Sequence, residues 1–174
     1  GQRGYSVALA EATTQLGGRV TREAALPTLA EWSRVRDWRV TQLNKLPSVE
    51  IFLDSRLDAE QIVEFGADRV VLATGATWRR SGVGRSHRAA IPGHEKDHVL
   101  SAEHIMDGAR PGGRVVVFDD DHYYLGSVVA SALVSAGAEV TIVTPAGMVA
   151  SWSYNTDEQI LTQKRLMGEG VKIE

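Results

Sequence analysis

Short apolar runs alternate with amphipathic stretches along the chain, and that alternation predicts strands joined through helices. Tyr5–Ala10 (YSVALA), Arg69–Thr74 (RVVLAT), Arg114–Phe118 (RVVVF) and Glu139–Val143 (EVTIV) read as strands, and Val171–Ile173 as the start of a fifth. Continuous apolar runs belong to strands covered on both faces, as in parallel sheets. Glu50–Leu53 is a further, shorter candidate. Thr28 and Glu31 have the spacing of a capping box, and Leu29, Trp32, Val40 and Leu43 follow at helical intervals. Asp58 is placed to cap a short helix that runs through Glu64 and stops at Gly66. Leu125, Val128, Val129, Ala132, Leu133 and Ala136 make one helical stripe ended by Gly137. Asp157–Met167 predicts another helix, ended at Gly168. Strand, helix, strand in succession implies right-handed crossovers and an α/β fold with Rossmann-like parallel sheets.

Residues 76–100 break this rhythm. They hold Gly82, Gly84, Pro92, Gly93 and four arginines (Arg79, Arg80, Arg85, Arg88) without a period. So long an irregular stretch reads as a crossover between two units. The expected division is therefore residues 1–78, a crossover linker over 79–111, and residues 112–174. The arginines, with His87, form a basic cluster that is either a solvated loop or a contact for phosphate or an acidic surface.

Composition narrows the options. The chain has 174 residues, 43% hydrophobic and 24% charged, with a net charge of −3, enough apolar material for a sizeable core. A charge so close to zero gives no reason to expect nucleic acid. No apolar run approaches the roughly 20 residues of a membrane span, so a membrane is not an expected partner either. Cysteine is absent, which excludes disulfides, thiolate metal sites, iron–sulfur ligation and cysteine nucleophiles within these residues and fits a cytoplasmic setting. Residues 1–111 carry 15 basic and 14 acidic side chains, and 112–174 carry 4 and 8.

Candidate chemistry begins at the first strand. Glu11 ends Tyr5–Ala10, where a dinucleotide-binding βαβ unit places an acid to accept hydrogen bonds from the adenosine ribose. Gln15-Leu16-Gly17-Gly18-Arg19 follows, with paired glycines that permit close backbone approach. Ala73-Thr74-Gly75 closes a later strand. Read singly, each feature is also a solvated terminus, a plain turn or a small-residue strand end; the order of the three carries the nucleotide reading. On that reading, the first strand and the glycine-rich phosphate loop of the unit are expected to precede Gly1.

Residues 16–46 (LGGRVTREAALPTLAEWSRVRDWRVTQLNKL), with GADRVVLATGATWR (66–79), IPGHEKD (91–97) and VVVFDDDHYYLGSVVA (115–130), resemble the trimethylamine and dimethylamine dehydrogenase family. Its relatives include histamine dehydrogenase and dienoyl-CoA reductase. The resemblance covers essentially the whole chain. It implies a parent flavoprotein with an N-terminal barrel carrying FMN and an iron–sulfur cluster, both outside these residues, that oxidises small amines. It implies an ADP or FAD site here, bound by Glu11, Gly17, Gly18, Arg19, Thr74 and Gly75, and no catalytic residue. The implied partners are the barrel domain of the same parent, an electron-accepting flavoprotein, and further copies of the parent in an oligomer. The alternatives are a portion of an NAD(P)H-dependent flavin oxidoreductase and a nucleotide-free docking module.

The second half repeats the layout of a nucleotide-binding unit without its chemistry. The turn after Phe118 reads Asp119-Asp120-Asp121-His122-Tyr123-Tyr124-Leu125-Gly126, so Gly126 alone remains of a G-x-G-x-x-G spacing. Two unit charges about 5 Å apart repel by roughly 1 kcal/mol even in water, so three carboxylates oppose a diphosphate. The next strand ends at Thr144-Pro145, with no ribose-binding acid. Residues 112–174 are thus expected to be a degenerate NAD(P)-like unit. The aspartates and His122 read as a solvated loop with an aspartate capping the helix, or as a divalent-metal site. The serines show no G-x-S-x-G, and no metal residue is expected. Trp32 and Trp38, six apart, fall on different helix faces; Trp152 and Tyr154 read as an interface or a buried cap.

Overall fold

A computed structural model describes all 174 residues. The chain forms two compact units, Gly1–Ala25 with Leu29–Ala76, and Leu26–Thr28 with Thr77–Glu174. Residues 79–111 therefore group with the second unit, whose main segment starts at Thr77.

In the first unit, β1 (Val7–Ala10) pairs in parallel with β2 (Val49–Phe52), Val7 opposite Val49 and Ala10 opposite Phe52. The connection runs through α1 (Gly18–Ala24), a 3₁₀ turn (Ala30–Trp32) and α2 (Ser33–Leu43). The capping box expected at Thr28 does not form. Thr28 has φ of 68°, outside the extended region that a capping residue needs, and helical structure begins at Ala30 through the 3₁₀ turn. Helix α3 (Ala59–Phe65) follows the sequence closely: Asp58 and Gln61 make a reciprocal capping box and Gly66 ends the helix at φ 70°. Arg69–Thr74 differs from expectation. It enters no strand ladder, and Val71 is 86% exposed. Its apolar pattern is that of a strand, but a strand exists only where a neighbour supplies hydrogen bonds.

The second unit is built around a parallel sheet in the order β3 (Arg114–Phe118), β4 (Glu139–Val143), β5 (Lys172–Ile173). Helix α5 (Leu125–Ser135) crosses from β3 to β4, and α6 (Glu158–Gly168) leads to β5. Leu133, Val128, Val140, Ile142, Val149 and Leu166 are almost fully buried; each such side chain contributes roughly 1.5–3 kcal/mol through removal from water. Ser131 lies in the same layer and donates to Glu169 Oε2 at 2.6 Å, so its burial leaves no orphaned hydroxyl. The unit also holds α4 (Ala102–Met106), with a Ser101–His104 capping box, which five residues of weak periodicity did not disclose.

Candidate functional site

The first candidate site is the end of β1. The Glu11 N–H donates to the Phe52 carbonyl at 2.9 Å, and the Ser55 N–H donates to the Glu11 carbonyl at 2.8 Å. These bonds fix Glu11 at the C-terminal end of both strands. The crevice outside such strand ends is where open α/β sheets take ligands. Glu11 Oε1 accepts from the Thr13 N–H and lies 2.9 Å from Thr13 Oγ1. That hydroxyl is equally close to the Gln15 carbonyl, and its single proton serves one acceptor at a time.

The paired glycines sit at the entry to α1, with φ of 120° at Gly17 and 45° at Gly18. A Cβ at Gly17 would stand 2.4 Å from Thr21 Oγ1 and 2.6 Å from Arg36 Cδ, so packing against α2 also demands glycine there. Arg19, one residue on, pairs with the buried Glu23 at 3.4 Å and donates to the Ala76 carbonyl. The structure thus brings Arg19 to the Thr74–Ala76 segment, where Gly75 has φ of 75°. The Glu11 bonds run instead to Thr13, Phe52 and Ser55. A groove of about 590 Å³ opens beside the Thr14–Leu16 loop, bounded by Arg36, Val40, Ile51 and Leu53, and none of the six residues expected to bind nucleotide lines it.

The corresponding place in the second unit is filled. Asp119, just beyond β3, is 3% exposed and its Oδ1 accepts from the Asp121 and His122 N–H groups at 3.1 and 3.2 Å. Burial pushes its carboxyl above the ordinary carboxylate range, against the pull of those two amides. Asp120 accepts from the Ser86 N–H at 2.8 Å and the His87 N–H at 3.3 Å, and His122 Nε2 stands 3.2 Å from its Oδ1. Burial alone would raise Asp120, but the Ser86 hydroxyl and the Ser86 and His87 amides outweigh it and hold the group below its usual range. Arg85 lies 3.7 Å from Asp121 and stacks over Trp152 at 3.8 Å. A strap around Gly84–His87 is therefore fastened across the strand ends.

Two sequence expectations change here. The Asp119–His122 loop is mostly buried and hydrogen-bonded, not solvated, and no aspartate caps α5: Tyr124 occupies the capping position and makes no side-chain capping bond. The part played by Ser86 and Gly84 was not readable, because their partner Asp120 lies 34 and 36 positions away. Gly84, in a loop without period, was the only hint. No group of side chains suited to a metal ion occurs.

No family model matches the chain. Individual relatives do. The dimethylamine dehydrogenase of Hyphomicrobium sp. (strain x) is 38% identical over 181 aligned positions, covering 99% of this chain and 24% of the relative. The solved histamine dehydrogenase of Rhizobium sp. 4-9 superposes with a TM-score of 0.92 at 46% identity, covering 99% of this chain and 27% of that one. The chain matches a quarter-length region of members of the trimethylamine and dimethylamine dehydrogenase family. The solved 6-hydroxypseudooxynicotine amine oxidase of Pseudomonas geniculata N1 is similar as well, with a TM-score of 0.96, 46% identity, and coverage of 99% and 26%. The chain spans about a quarter of the length of each of these relatives. Its α/β fold is that of the corresponding region in the two solved structures.

Proposed function

We propose that this chain is the nucleotide-binding portion, for ADP or FAD, of a flavin- and iron–sulfur-dependent amine dehydrogenase that oxidises small N-methylated or primary amines. The observation that carries the reading is Glu11: a carboxylate held at the end of a parallel strand by two backbone bonds and oriented by Thr13. Such a group is an acceptor-only partner for paired ribose hydroxyls, so the donor set fits an adenosine nucleotide. Arg19, anchored on Ala76, and the Gly17-Gly18 and Thr74-Gly75 turns would line the same nucleotide. Bound as ADP, it is a structural ligand; bound as FAD, it adds a redox centre.

The catalytic chemistry belongs to other parts of the parent on this reading. FMN and the cluster would be held outside residues 1–174, which contain no cysteine. The barrel of the same parent is the first partner, and an electron-accepting flavoprotein the second. The second unit serves as a support that takes no NAD(P)H.

Heat denaturation of the full-length protein and chromatography of the supernatant test the reading. ADP or FAD in near-stoichiometric amount is expected, with a marked loss in Glu11→Ala. No nucleotide, or unchanged content in the variant, overturns it. Dye reduction driven by NADH would overturn the role given to the second unit.

A further inference from the structure

Two glycines in the second unit owe their identity to carboxylates. A Cβ at Gly126 would stand 2.6 Å from Asp119 Cγ and 2.9 Å from its Oδ1, and a Cβ at Gly84 would stand 2.3 Å from Asp120 Oδ2. Neither glycine has a left-handed backbone, so conformational freedom explains neither. Gly126 lies in the first turn of α5, a place where glycine weakens a helix relative to alanine. What it provides is room for Asp119.

That room is where a β-turn-α unit receives phosphate. The turn after the first strand presents backbone N–H groups, and the positive end of the following helix points the same way. Here His122 has φ of 64°, and a left-handed residue of this kind lets successive N–H groups converge on one anion. The two converging groups, from Asp121 and His122, are both taken by Asp119 Oδ1. Asp119 Oδ2, equally buried, has no partner, and neither has Ser127 Oγ at the same end of the helix. The carboxylate is therefore held through its contact with the turn amides and not by a side-chain network.

We propose that Asp119 is a resident anion: its carboxylate occupies the phosphate seat of the second unit from within and shuts that seat to nucleotides. This inference rests on reading the unit as a nucleotide-binding fold that takes no NAD(P)H. Asp120 completes the closure, because its bonds to Ser86 and His87 draw the strap over the same strand ends.

Hydrogen exchange of the full-length protein, read on peptides spanning 119–124, provides the test. In the unaltered protein the Asp121 and His122 amides are expected to exchange at least about tenfold more slowly than in a free peptide. Free-peptide rates overturn the proposal without any variant having to fold. Asp119→Asn, which keeps an acceptor oxygen, should retain the protection. Asp119→Ala should lose it, and inorganic phosphate at tens of millimolar, against chloride of equal ionic strength, should restore it. Unchanged protection in Asp119→Ala, or loss that phosphate does not repair, overturns the resident-anion assignment while leaving the proposed function in place. Saturable NADH binding by the unaltered protein overturns the assignment together with the reading of the second unit as one that takes no NAD(P)H.

Discussion

Glu11 follows β1 and Asp119 follows β3, each the first residue beyond a parallel strand that a helical crossover joins to the next. Glu11 keeps its carboxylate half-exposed, with Thr13 two residues away as its partner. Asp119 turns its carboxylate inward onto the amides of its own turn, and Asp120 takes two more from a strap over 30 residues distant. One fold thus leaves an acid half-exposed at a strand end in the first unit and turns its acids onto backbone amides in the second. The difference arises in loop chemistry. A carboxylate that must meet a ribose needs local orientation and free lone pairs, whereas one that must exclude a diphosphate needs burial and saturated N–H donors.

The comparison breaks most visibly at Glu11. On the proposed reading, Glu11→Ala removes charge-assisted hydrogen bonds of about 1.5–3 kcal/mol, so retained nucleotide should fall at least about tenfold. Asp119→Ala should leave it unaltered. Equal losses in the two variants, measured by chromatography of the denatured supernatant, would show that the units do not differ in this way. Next in size is Asp120→Asn, which weakens the hold on Ser86, His87 and His122. A loss of about 1.5–3 kcal/mol in urea unfolding is expected. Because the folded carboxyl is held below its usual range, its contribution is present at neutral pH and disappears as the pH falls through the folded value. Unaltered protein and variant should therefore converge in acid.

Gly126→Ala comes third. In an open helix turn alanine gains up to about 1 kcal/mol over glycine. Here its Cβ would press on Asp119, and overpacking of this kind costs about 1–3 kcal/mol, so net destabilisation is expected. Combining it with Asp119→Gly should recover part of the loss, and strict additivity of the two variants in urea titrations would count against their contact.

Much of this was legible in the chain. The α5 stripe and its Gly137 stop, the Asp58 cap and the strands β3 and β4 announce themselves because periodicity and capping are local. So did the absence of a phosphate loop after Phe118. Arg69–Thr74 was misread because an apolar run specifies a strand only together with the neighbour that pairs with it. Thr28 was misread because a capping box is a spacing, and its backbone angle is set by the turn in which it lies. The closure of the second unit was illegible for a stronger reason. Gly126 looks like a remnant of a phosphate-binding turn, and only the position of the Asp119 side chain shows that the glycine serves a carboxylate. Asp120 and Ser86 are brought together by folding across 34 positions, and no pattern in the intervening residues encodes the pairing.

Asp119 itself should give the smallest stability change, and its sign separates it from Asp120. Burial raises its carboxyl above the unfolded value, so folding favours the protonated form. The stability it contributes is full below the unfolded value of about 3.9 and is lost as pH rises through the folded value. In its ionised form the group is therefore a burden in the folded state, even with two amides in place. Asp119→Asn keeps the shape and an acceptor oxygen and removes the charge. It should unfold at higher urea than the unaltered protein near pH 7 and show a smaller gain, or none, near pH 3. Urea midpoints across that range read both signs at once. Asp119→Asn should gain where Asp120→Asn loses, because one carboxylate is held chiefly against its burial and the other chiefly by its donors. Parallel losses in the two variants would mean that Asp119, like Asp120, is stabilised in its charged form.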